Sequence, residues 1–205
     1  MLYLTPPSTQ LVRDAIMAGF PYGAIATPRQ GNRIEDTWVW AADNGCFGNG
    51  YPGDLPYLAW LDKRGEQAGL CLFATAPDVV GDAKATLARS APMLPEIRAL
   101  GYRPAFVLQN GVTPGTVPWD DTGAVFIGGD DAFKTSSEAR RLIDEARARG
   151  IWTHMGRVNT RKRLLAAASM GCDSADGRTL ALFPATLGQM NRWLRDGRVL
   201  QGLLW

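Results

Sequence analysis

Histidine and cysteine are the scarcest chemistry-bearing residues of this 205-residue chain, which has one histidine, His154, and three cysteines, Cys46, Cys71 and Cys172. Three widely spaced thiols form neither a disulfide framework nor a metal-ligand spacing, so they read as reduced and structural, and zinc is not expected. Long apolar runs are also missing. None approaches the ~20 residues of a membrane span, and the N-terminus has no basic stretch leading into an apolar one, so a cytoplasmic protein is expected. Excess charge is lacking too. A net charge of +2 excludes a surface that is basic throughout, while leaving room for a local basic patch.

What is present is an ordinary globular composition, 46% hydrophobic and 20% charged, in a length that supports one well-buried core and would leave two domains undersized. A single domain over 1–205 is expected. Short apolar runs rich in β-branched or aromatic residues predict strands over 2–5, 23–27, 38–42, 70–75, 105–109, 124–127, 151–154 and 172–175. Amphipathic stretches predict helices over 9–18, 55–67, 82–100, 136–149, 160–170 and 187–195, with two connections irregular. Thr135-Ser136-Ser137-Glu138, with its hydroxyls and early acid, and Asn159-Thr160 read as helix starts, and Gly150 and Gly171 stand where helices stop. Alternating strands and helices imply parallel βαβ units, and eight of them imply a compact α/β barrel of the (β/α)₈ TIM type; an open doubly wound sheet is the runner-up.

In either architecture the ligand sits at the carboxyl ends of the strands. Those ends read Asp43-Asn44-Gly45-Cys46-Phe47, Ala76-Pro77-Asp78, Gln109-Asn110-Gly111, Gly128-Gly129-Asp130, His154-Met155-Gly156-Arg157 and Asp173-Ser174-Ala175-Asp176. Any single tip is ordinary turn chemistry. Turns do not ask for Gln109, however, nor for two acids three residues apart. Carboxylates sharing a pocket can divide labour, one ionised as nucleophile and one shuttling a proton, which suits displacement at a sugar carbon. Magnesium between Asp43 and Asp173 is a competing use. Lone His154 reads as a packing or hydrogen-bonding residue, and Trp38 and Trp40 read as core.

Taken in order, these tips resemble the tRNA-guanine transglycosylase superfamily, and within it the 7-deazaguanine DNA transglycosylases of phages and bacteria. Asp43-Asn44-Gly45-Cys46-Phe47 is similar to the family's Asp-Ser-Gly-Gly-aromatic motif, Gln109-Asn110-Gly111 to its Gln-Gly-Gly, and Gly171-Cys172-Asp173-Ser174-Ala175-Asp176 to its Gly-x-Asp-x-x-Asp. The resemblance implies catalytic roles for Asp176, as nucleophile, and Asp43, as proton donor and acceptor. It implies base contacts by Asp78, Gln109, Gly128, Gly129 and Asn44, with Phe47 and Met155 sandwiching the base. Asn44, Cys46 and Asn110 depart from the family's serine and glycines. The family's zinc motif, Cys-x-Cys-x-x-Cys with a later His, is absent, as is a tRNA-binding extension, so no zinc subdomain is expected and DNA is favoured over tRNA.

The implied reaction exchanges guanine in DNA for a 7-deazaguanine base through a covalent aspartyl–sugar intermediate, with the base as co-substrate and no cofactor or metal. The guanine must be flipped from the duplex. Arg157, Arg161, Arg163 and Arg178 are expected to contact phosphates, with Lys162 on a solvated face. A second copy of the chain or a modification complex is a further partner option, and the setting would be the host cytoplasm if phage-encoded. Rival readings are exchange on tRNA or free nucleosides, a non-catalytic DNA- or base-binding subunit, and a barrel lyase or isomerase using Gly128-Gly129 as a phosphate loop.

Overall fold

The computed structural model describes residues 1–202. All eight expected strands form: β1 (Leu2–Thr5), β2 (Tyr22–Ala26), β3 (Trp40–Ala42), β4 (Cys71–Thr75), β5 (Pro104–Leu108), β6 (Ala124–Ile127), β7 (Trp152–Met155) and β8 (Ser174–Asp176). They pair in sequence order, all parallel, and β8 returns to β1 through Leu2–Ser174 and Leu4–Asp176 to close the barrel. The protein is a compact (β/α)₈ barrel.

Period-two alternation gives the strands two faces. Leu2, Leu4, Ile25, Ala41, Phe73, Ala105 and Ala124 cluster inside the barrel. Their neighbours Tyr3, Ala24, Trp40, Ala74, Phe106 and Val125 pack outward in the larger core under the helices. Trp40 is fully buried there, edge-on to Trp60 and Tyr102, so the tryptophans are core residues as expected.

The helices are α1 (Gln10–Met17), α2 (Asp54–Asp62), α3 (Ala83–Ser90), α4 (Met93–Ala99), α5 (Asp131–Lys134), α6 (Ser137–Ala148), α7 (Arg161–Ser169), α8 (Thr179–Leu182) and α9 (Leu187–Gly202). Ser136 and Thr160 cap α6 and α7 through their hydroxyls. Gly150 and Gly171, with φ of 69° and 83°, end them in the left-handed conformation that glycine adopts without strain. The expected helix over 82–100 is divided into α3 and α4, because Pro92 and Pro95 each lack the N–H that a continuous helix needs. The one expected over 55–67 stops at Asp62 and continues as 3₁₀ turns. The β2–β3 and β5–β6 connections carry only short 3₁₀ turns, which is how the barrel closes in so few residues. None of the helices in the described residues is long and apolar enough to cross a membrane.

Gly177 fixes how the chain leaves β8. A Cβ here would lie 2.5 Å from the Val158 carbonyl oxygen and closer still to the Tyr3 hydroxyl. Gly177→Ala is therefore expected to lower stability by ~1–3 kcal/mol, read as a lower urea midpoint at unchanged slope.

Candidate active site

The carboxyl ends of the strands surround a cavity of about 430 Å³, within the ~300–1,000 Å³ range of small-molecule sites. Its walls include Asp43, Asn44, Phe47, Asp78, Gln109, Gly128, Gly129, Arg157, Arg163, Asp176 and Arg178. Eleven of the thirteen expected site residues are thus brought together. A second cavity, of about 500 Å³, lies at the opposite end around Met1, Arg103, Trp152 and Asp173, on the face of such barrels that serves stability rather than chemistry.

Asp176 is the last residue of β8, and its side chain is 15% exposed. Its Oδ1 accepts hydrogen bonds from the His154 ring Nε2 (3.0 Å) and the Arg157 backbone N–H (3.2 Å). Its Oδ2 has no hydrogen-bond donor among the described residues. Arg157 can aim its N–H this way because it turns the chain at φ 58°, a left-handed conformation that is strained for a side-chain-bearing residue. Buried Lys134, on α5, holds the same turn by donating to the Gly156 carbonyl at 2.7 Å. Burial first, then the Arg157 charge, pushes this lysine down to about 8. A side chain on Gly156 would collide with the Phe126 ring, so glycine is needed directly before the turn.

Asp43 follows β3 and accepts a hydrogen bond from the Gly45 N–H at 3.1 Å. Burial pushes its carboxyl up to about 7; the Gly45 bond opposes this and the charges of Asp176 and Asp78 add to it. Like charges facing one cavity favour the neutral form of one of them. Asp43 and Asp176 are therefore set apart: one carboxyl poised near neutrality, the other hydrogen-bonded on one oxygen only.

Asp78 sits deeper, 6% exposed. Asn44 donates to its Oδ1 at 2.9 Å and Gln109 to its Oδ2 at 2.6 Å. Gln109 uses its own oxygen to accept from the N–H groups of Gly81 and Gly129, both at 2.9 Å. Asn44 also receives the Cys46 N–H at 2.7 Å, so it ties the Asp43 loop to Asp78. Gly129, at φ 66°, is a position where a Cβ would meet Phe133 and Asn110.

Phe47 projects from a 3₁₀ turn at the mouth, 60% exposed. The Arg157 guanidinium covers its ring, 4.1 Å from the centroid, and also donates to the Gly129 carbonyl. Arg163 pairs with Asp131 at the rim, and Arg178 lines the wall.

Two expected residues lie elsewhere. Met155 is 1% exposed and belongs to the core outside the barrel; along β7, Trp152 and His154 face in, so Met155 must face out, and it cannot pack against a ligand over Phe47. Arg161 points to α9, where it bonds Asp196 at 2.9 Å. Asp173, the alternative magnesium partner of Asp43, lies at the other cavity and takes the N–H and hydroxyl of Thr153 at 2.8 and 2.9 Å. The cysteines are free, with thiols pushed up by burial to about 11 at Cys46 and about 12 at Cys71 and Cys172.

Sequence reasoning missed the contact of His154 with Asp176. Its signal is phase: Trp152 and His154 share the inward face of β7, and the same alternation turns Met155 away.

No family model and no curated protein matches the chain. Among solved structures, it is similar to the native KDPGal structure at 14% identity, covering 97% of this chain and 96% of that one, with a TM-score of 0.55. It is also similar to a glycosyl hydrolase of the GH3 family from Mycobacterium smegmatis at 16% identity, covering 98% and 90%, again with a TM-score of 0.55. These similarities establish the barrel fold. Barrels of this kind host many chemistries, so function has to be argued from the site.

Proposed function

We propose that the protein is a glycosyltransferase of the base-exchange type, replacing guanine in DNA by a 7-deazaguanine base through a covalent sugar ester on Asp176. The observation that carries this reading is the convergence on one cavity of Asp176, with an unoccupied Oδ2, and Asp43, poised near pH 7. Such a pair suits substitution at a sugar carbon, in which one carboxylate attacks and the other transfers the proton. A Schiff-base reaction in the same barrel would need a lysine in the cavity, and none of the cavity's lining residues is one.

In the first half-reaction a lone pair of Asp176 Oδ2 forms the bond to C1′ of the deoxyribose. The glycosidic C1′–N bond breaks, its electron pair leaves with guanine, and guanine takes the proton of Asp43. In the second half, Asp43 removes the proton from the glycosidic nitrogen of the incoming deazaguanine. That nitrogen bonds to C1′, and the C1′–Oδ2 bond returns its electrons to Asp176. Asp78 and Gln109 stand where they can read the base edge with the lone pairs and donors they have left. A base stacked on Phe47 displaces the Arg157 guanidinium, releasing it toward a phosphate beside Arg163 and Arg178. DNA is preferred to tRNA because the sequence lacks the zinc motif of the tRNA-modifying relatives.

Nucleoside mass spectrometry checks this directly. The protein is incubated with a 7-deazaguanine base and, separately, guanine-containing DNA, tRNA or deoxyguanosine. The modified nucleoside is expected in the DNA digest alone. Its appearance only in tRNA would remove the DNA assignment, and its absence from all three would remove base exchange.

A further inference from the structure

His154 is the one buried titratable side chain in contact with a proposed catalytic group that the mechanism above leaves without a task. It is fully buried inside the barrel, held between the rings of Phe73 and Phe126 at centroid distances of 4.9 and 4.7 Å. Both ring nitrogens have partners: Nδ1 meets Ser174 Oγ at 2.8 Å, and Nε2 meets Asp176 Oδ1 at 3.0 Å. The chain of contacts continues downward, because the Trp152 indole N–H donates to Ser174 Oγ at 2.9 Å.

An indole N–H can only donate, so Ser174 Oγ accepts from Trp152 and keeps its own hydrogen free to reach His154 Nδ1. An ionised carboxylate can only accept, so the ring nitrogen facing Asp176 Oδ1, Nε2, carries a hydrogen. In the neutral imidazole Nδ1 is then the acceptor from Ser174. The relay runs Trp152 to Ser174 to His154 to Asp176 and lies wholly on the inward phase of β7 and β8.

We infer that His154 is a positioning residue that locks Asp176 Oδ1 and so selects Oδ2 as the attacking oxygen. The inference rests on the base-exchange reading and adds to it the identity of the attacking atom. Two donors, the imidazole and the Arg157 N–H, approach Oδ1 from the barrel and from the strained turn. The carboxylate cannot rotate without losing both. Oδ2 is thereby held toward the cavity at a fixed angle, and a nucleophile held within a narrow range of geometry gains rate without gaining affinity.

The test measures the rate of covalent DNA–protein adduct formation in single-turnover experiments, together with the DNA concentration giving half-maximal rate. His154→Leu keeps an apolar filler between the two phenylalanines and removes the donor. It is expected to lower the adduct rate by about 10–100-fold, the effect of one hydrogen bond to a charged group, with the half-maximal concentration unchanged. His154→Gln can place an amide N–H near the Nε2 position and is expected to recover most of that rate. Ser174→Ala keeps the imidazole and its packing but frees its tautomer, and a fall of roughly 10-fold is expected. Should His154→Leu not fold, His154→Phe, which fills the space between the same two rings without a donor, takes its place. A wild-type rate in the apolar variant, or equal losses in the Gln and apolar variants, would show that His154 only fills space, and a wild-type rate in Ser174→Ala would remove Ser174 from the positioning chain. A wild-type protein that forms no adduct at all would instead overturn the base-exchange reading, and the two failures are distinct.

Discussion

Asp176→Asn is expected to keep the folded barrel while lowering base exchange by at least ~10³-fold, the scale seen when a covalent nucleophile is removed. The amide oxygen of the variant can still accept from His154 and from the Arg157 N–H, so the contacts that close β8 against β7 persist. The atom facing the cavity becomes an amide nitrogen, which has no lone pair available for attack at C1′. Far-ultraviolet circular dichroism and the thermal midpoint should therefore stay close to wild type, while the adduct disappears. An Asp176→Asn protein that exchanged bases at a rate near wild type would remove Asp176 from the nucleophile's role.

Asp43→Asn separates activity from stability. Exchange is expected to fall by ~10²–10⁴-fold, the usual contribution of a positioned acid or base. The wild-type rate should also decline as pH rises through about 7, since Asp43 must enter the cycle protonated and burial holds its carboxyl near that value. The stability effect has the opposite sign. A carboxyl whose folded value is raised from 3.8 to about 7 binds more protons in the folded state than in the unfolded one between those limits. Stability from this group is thus greatest below about pH 4 and is lost as pH rises toward 7. Removing the charge should make the variant more stable than wild type at pH 8 and close to it at pH 4. Thermal melts at the two pH values measure this; equal differences at both would show that Asp43 ionises as an ordinary carboxylate.

The barrel was largely legible because its evidence is periodic. Eight apolar runs separated by amphipathic stretches lead to eight parallel strands, and their tips lead to the cavity. The structure departs from the sequence pattern where a local rule overrides it. Pro92 and Pro95 interrupt the hydrogen-bond ladder of the helix expected over 82–100. The motif resemblance puts Met155 on the ligand, but its phase along β7 turns it outward. Arg161 is close in sequence to Arg157 and Arg163, but the helix carries it to another side, where it meets Asp196 of α9. The left-handed turn at Arg157 had no signal in composition at all, since it is imposed by the packing of the β7 tip around Lys134 and Asp176.

Asn44, Asp78 and Gln109 form a closed hydrogen-bonded set that holds the wall rigid. The groups with capacity left toward the cavity are the ones the proposed exchange uses: Oδ2 of Asp176, the Asp43 carboxyl and the exposed face of Phe47.

The most direct measurement is the trapping and mapping of the intermediate. Wild-type protein is mixed with guanine-containing DNA without a replacement base, denatured, digested and analysed by peptide mass spectrometry. A deoxyribose-linked peptide carrying the modification on Asp176 is predicted. Modification on another residue, or base release with no linked peptide, would contradict it.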